Sequence, residues 1–254
     1  RSSIELPDQL EENLWYLGLY QQACCSRSEV ATSFFGLWHP LDYRTWNDCY
    51  VADAQVEMIW WCCFASNHLA LLYPSHRTFG RLAPEFVEHT MGDGLEVPHM
   101  FHPEWAGGDR NFGERNSHKG SSAWFALNFW QDYLHSGDPE FLRDATYPLL
   151  RMIADWFVGD LKLEADGHYH CVESNSPEQE NTNRDNIYDW AMIRALFRAV
   201  IAASEVLGVD HEKREAWRAR LDKLFPLPQS GDTLGETAGN PHPYRCHPVV
   251  FFGL

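Results

Sequence analysis

The residues best suited to chemistry lie in the polar stretch Ser174-Asn175-Ser176-Pro177-Glu178-Gln179-Glu180-Asn181. Pro177 stiffens the backbone beside Glu178, and the surrounding amides and second carboxylate can line a cleft, a setting that suits a proton donor. The same letters also spell a helix start, with Ser176 as N-cap, Pro177 at the first helical position and Gln179 reaching back. A second cluster, Asp53, Gln55 and Glu57, stands where an aromatic loop enters an apolar helical stretch. Asp53 and Glu57, four apart, share a helix face, whereas Asp53 and Gln55 point together only on extended backbone. Asp53 can equally serve as an N-cap.

Other candidates carry less. His168 and His170 fall on one side of a strand, a spacing metal sites use, but no matching ligand pair stands out elsewhere, so no metal and no cofactor are expected. The loop with His99, His102, Glu104 and Trp105 suits substrate contact better than metal. No GxSxG elbow, phosphate-binding glycine loop or dinucleotide fingerprint is present.

The elements that must position these groups read as helices. Pro7 and Asp8 open a pattern running to about Cys25, with Leu10, Leu14, Leu17 and Cys24 on one stripe. The loop 26–49 follows, carrying Trp38 among other aromatics. The stretch from Asp53 to about Leu72 is apolar almost all round and is expected to form one inner helix. Further helices are expected at Arg77–His89, around Trp124 to Leu134, at Phe141–Leu161, from Ile187 onward and at His211–Phe225, before a Gly/Pro-rich tract. Ser136-Gly137-Asp138-Pro139 is a stop signal running into a new start. Short turns alternating with long polar loops predict antiparallel helical hairpins whose functional loops gather at one end.

Composition narrows the ligand. A net charge of −16 over 254 residues opposes nucleic acid and anionic membrane surfaces, and 11 Trp suit stacking on sugar rings. Seven cysteines, with Cys24-Cys25 and Cys62-Cys63 inside apolar stretches, read as buried thiols. No apolar run is long enough to span a bilayer. The start without methionine and the apolar end predict a piece of a longer chain.

Several stretches, in order, carry a resemblance. These are Asn13-Leu14-Trp15 through Ser26-Arg27, Phe35-Gly36-Leu37-Trp38, Tyr50-Val51-Ala52-Asp53-Ala54-Gln55-Val56-Glu57-Met58 and Gly137 to Leu142. Ser176-Pro177-Glu178, Asp189 with Ile193-Arg194, and Arg245-Cys246-His247 with Gly253-Leu254 complete the series. Together they resemble the catalytic domain of family 95 glycoside hydrolases, the inverting α-L-fucosidases and α-L-galactosidases. The resemblance implies an all-α (α/α)6 toroid, incomplete here, with residues 1–254 as part of a single catalytic domain. It implies an exo-acting hydrolase of glycans with Glu178 as general acid and Asp53 and Gln55 in the places of two asparagines that hold the attacking water. His247, Trp124 and His99 would contact the sugar, and Trp38 and Glu57 are further candidates, Glu57 by raising the pKa of Asp53. Family likeness implies a secreted or periplasmic setting, while the odd cysteine count leaves the cytoplasm open. A glycan-binding toroid without turnover is the alternative. Because such a toroid closes its last hairpin on its first, an incomplete one should expose the apolar face between Leu10 and Cys25 and that of the segment after His247.

Overall fold

A computed structural model of the chain describes residues 3–33, 36–38, 49–53, 55–102, 118–177 and 184–237. Helix α1 (Gln9–Cys25) is capped by Asp8, whose carboxylate accepts from Leu10 N–H at 2.8 Å. Of its residues only Gln22 and Cys25 are buried. Its apolar stripe faces outward, as expected, with Leu10 66% and Leu14 57% exposed.

The expected single helix from Asp53 to Leu72 is broken. It divides into α2 (Gln55–Met58), α3 (Trp61–Ala65) and a 3-10 turn (Leu69–Leu72) that leads into α4 (Tyr73–His89). The cause after α3 is a left-handed C-terminal cap. Asn67 adopts φ 56°, its N–H bonds the Phe64 carbonyl at 3.1 Å, and His68 N–H bonds the Cys63 carbonyl at 2.9 Å. Those two crossed bonds satisfy carbonyls at the end of α3 and turn the chain away.

Helix α5 (Gly120–Ser136) ends on left-handed Gly137, and Asp138 immediately accepts from the N–H groups of Glu140 and Phe141 to start α6 (Pro139–Phe141). A π-type turn (Leu142–Thr146) joins α6 to α7 (Tyr147–Asp160). Helix α8 (Ile187–Leu207) starts from Asn186 and stops at left-handed Gly208, and α9 (His211–Asp222) follows. The first turns of α5 and α8 are buried on almost every side, and both α5 and α8 pack against α7, with α9 on α8. Around them, Tyr50, Phe79, Phe86, Phe101 and Phe125 meet in edge-on pairs, the arrangement that the ring quadrupole favours.

Three two-stranded antiparallel ribbons complete the described chain: β1 (Tyr50–Val51) with β2 (Met100–Phe101), β3 (Lys162–Leu163) with β4 (Tyr169–His170), and β5 (Gln229–Ser230) with β6 (Thr233–Leu234). The first aligns Tyr50 with Phe101 and Val51 with Met100, which joins two distant segments at the end where α5 and α8 begin. None of the six cysteines among the described residues forms a disulfide; Cys25 and Cys63 are buried as expected, whereas Cys24 and Cys62 are half-buried. No helix among these residues is long and apolar enough to cross a membrane.

The starts of α5 and α8 are locked together by Asp189. Its carboxylate accepts from Gly120 N–H at 2.7 Å and from Asn186 Nδ2 at 2.6 Å, while Asn186 Oδ1 accepts from Asp189 N–H at 2.9 Å. Gly120 has to be glycine, because a Cβ there would lie 2.9 Å from both Asp189 Oδ1 and Tyr188 Cε1. Burial raises the Asp189 carboxyl to about 6, opposed by hydrogen bonds from Ser174, Gly120 and Asn186. Asp189→Asn sets an amide NH2 against one of these donors inside the core. We expect it to destabilise the protein by about 2–4 kcal/mol at neutral pH, measured by urea unfolding, and an unchanged midpoint would refute this account.

Candidate active site

The β1–β2 ribbon brings Asp53 to His99. Ala52 N–H donates to the His99 carbonyl at 2.7 Å, and in the turn that follows the Asp53 carboxylate lies 3.5 Å from His99 Nε2. Both side chains are partly open, at 18% and 24% exposure, so the pair sits at the edge of the core. The His118 ring meets the His99 ring edge-on, with centroids 4.9 Å apart. His118 in turn donates from Nδ1 to the Asn175 carbonyl at 2.9 Å.

That last bond attaches the segment leading to Glu178. It is reinforced next door, where Ser174 Oγ accepts from Lys119 N–H at 2.9 Å and buried Lys119 Nζ pairs with Asp160 at 2.8 Å and bonds the Val172 carbonyl at 2.9 Å. Ser174 and Ser176 are themselves buried. The stem 174–177 is therefore held two side chains away from Asp53. Glu178, His247 and the segment after it lie outside the described residues, as do Glu104 and Trp105.

The other sequence candidates are distributed as follows. Gln55 turns back on β1, its Oε1 accepting from Val51 N–H at 3.1 Å, and its buried Nε2 has no hydrogen-bond partner. Glu57 is fully buried, and neither of its carboxyl oxygens has a hydrogen-bond partner. Burial first, and the neighbouring charge of Asp53 second, push the Glu57 carboxyl well above the usual carboxylate range. Trp124 is 2% exposed and lies between Trp61 and Tyr188, with centroids at 5.8 and 6.2 Å. Trp38 is exposed and borders a separate cleft of about 270 Å³ with Gly18, Gln22, Cys25 and Ile59. His170 is clasped between Asp185 at 2.7 Å and Asp166 at 3.1 Å. Burial would lower its pKa, but the bonds to the two aspartates raise it, so it is a structural ion pair.

Sequence reading missed His118 and Tyr188. Tyr188 hydroxyl is 2.8 Å from Ser121 Oγ and donates to the Asp53 carbonyl at 3.5 Å, linking α8 to the Asp53 turn. Neither belongs to a recognisable motif. Their one signal is position, immediately before or at the first turn of a buried helix.

Glu57 gives a pH-dependent expectation. A carboxyl whose folded pKa is raised contributes stability below its unfolded pKa, near 4.5, and loses it as pH rises toward the folded value. Glu57→Gln removes that loss, because an amide does not ionise. The variant should therefore gain stability relative to the parent between about pH 5 and pH 8. Paired denaturant titrations at the two pH values test this, and a difference that does not change with pH would disprove it.

The described helices form part of a helical toroid of the six-hairpin glycosidase type. The structure of a putative kojibiose phosphorylase from the human microbiome superposes with a TM-score of 0.63 over 86% of this chain and 31% of that one, at 12% identity, a likeness of fold. The model of the glycosyl hydrolase family 95 catalytic domain matches residues 3–236, and the chain belongs to that family. It is also 25% identical over 215 residues to alpha-L-fucosidase 2 of Arabidopsis thaliana, covering 78% of this chain. The chain spans about a quarter of that relative's length.

Proposed function

We propose that this chain forms part of the catalytic domain of an exo-acting, inverting glycoside hydrolase that removes a terminal L-fucose or the related L-galactose from glycans. Glu178 protonates the leaving oxygen, Asp53 takes the proton of the attacking water, and Gln55 orients that water through its unpartnered Nε2. The observation that supports this reading is the line of contacts from Asp53 through His99 and His118 to the Asn175 carbonyl, which ties the stretch just before Glu178 to the turn that carries Asp53. Inversion requires the acid and the base to face each other across roughly 6.5–9.5 Å so that water fits between them. An acid and a base carried by segments far apart in the sequence suit that separation.

The family name supports the hydrolase class, and the curated relative's name supports fucose. Asp53 and Gln55, which stand in place of the asparagines that the resemblance implies, also admit a toroid that holds glycans without cleaving them. Aryl glycosides of fucose, galactose, arabinose and rhamnose separate the readings, with the anomer of the released sugar followed by NMR. Release of an L-fucose or L-galactose whose anomeric configuration is opposite to that of the substrate is expected. Glycan binding with no release from any of the four would favour the second reading.

A further inference from the structure

We infer that Asp53, His99 and His118 form a binding site for a divalent transition-metal ion, with Zn²⁺ as the best match to their chemistry. One ligand atom from each residue lies within 4.8 Å of the other two. Two ligands bound at the usual zinc distances of about 2.0–2.1 Å in tetrahedral geometry are about 3.3 Å apart. The Asp53–His99 contact, at 3.5 Å, is already near that value, and a change of side-chain rotamer draws the third ligand in from within 4.8 Å.

Two independent features point the same way. His99 Nε2 makes no hydrogen bond and faces the Asp53 carboxylate at 3.5 Å. His118 donates from Nδ1 to the Asn175 carbonyl, so its tautomer leaves the lone pair on Nε2. A backbone carbonyl behind an imidazole is the support that orients metal-binding histidines and increases their basicity. Two imidazoles and one carboxylate favour borderline ions over Mg²⁺ or Ca²⁺, which prefer oxygen. The overall charge of −16 favours a cation here.

Such an ion takes the Asp53 carboxylate out of use as a base, so it acts as an inhibitor of the proposed hydrolysis. Metal binding itself, however, does not depend on that reading. The test is titration of the intact, chelator-treated protein with Co²⁺, following the visible d–d absorption, and with Zn²⁺ by calorimetry. One equivalent of each is expected to bind, with affinity lowered at least about tenfold in His99→Ala and in His118→Ala. Asp53→Asn, nearly isosteric, should weaken binding likewise and guards against misfolding of the histidine variants. Zn²⁺ should also raise the unfolding midpoint of the parent but not of His99→Ala. No binding by the parent, or binding indifferent to all three substitutions, would overturn the site. Failure of hydrolysis alongside intact metal binding would reject only the catalytic reading.

Discussion

Glu178→Gln is expected to lower turnover of a natural fucosylated glycan by about 10²- to 10⁴-fold while leaving ligand affinity nearly unchanged. An alkoxide leaving group is so basic that bond cleavage needs a proton delivered in the transition state, and the amide cannot supply one. Substrate binding does not draw on that proton, so the loss belongs to kcat rather than to affinity. The same reasoning predicts a diagnostic dependence on the leaving group. A glycosyl fluoride departs with little protonic help, so the variant should act on it at close to the parent's rate. Kinetics on a glycan and a fluoride side by side check this. A variant equally impaired on both substrates would identify Glu178 as a binding or structural residue, and full activity on the glycan would eliminate it as the acid.

Asp53→Asn is expected to fold normally and to lose about 10²- to 10⁴-fold in turnover, equivalent to about 3–5 kcal/mol of transition-state stabilisation. The fold should survive because asparagine matches aspartate in shape and caps helices as well. Turnover should not survive, since an amide cannot accept the water proton at neutral pH. A small anion such as azide needs no deprotonation and should restore product formation in the variant, giving a glycosyl azide of inverted configuration. Were Asp53 only a cap, the substitution would leave turnover intact and azide would have no effect.

Much of the helical framework was legible because its signals are local. Asp8 before α1, the Gly137–Asp138 junction between α5 and α6, and the apolar period beginning at Ile187 depend on neighbours three or four residues away. The break after α3 was less legible. Its cause is left-handed Asn67 in the polar triplet Ser66-Asn67-His68, a signal passed over because the apolar pattern resumes at once with Leu69, Leu71 and Leu72. Nor did the pattern of α1 reveal which way it faces, since an apolar stripe states what could be covered, not what covers it. The toroid that closes on its first hairpin led to the expectation of exposure there, and Leu10 and Leu14 are exposed.

The candidate site divides in the same way. Residue types alone singled out Asp53, Gln55, Glu57 and His99, because carboxylates, amides and imidazoles at a loop–helix junction are uncommon unless they cap or react. Which of them meet was decided by pairings across long stretches of chain. Tyr50 aligns with Phe101, His118 bonds Asn175 57 residues away, and Gly120 docks on Asp189 69 residues away. Such contacts form only when burial of the aromatic core holds the segments together, and nothing in the local sequence encodes their register. The same packing made Glu57 a buried, unpartnered carboxyl and Trp124 part of the aromatic interior. Sequence by itself determined the helices and the inventory of reactive groups; tertiary structure decided their partners, because distance along the chain does not fix distance in space.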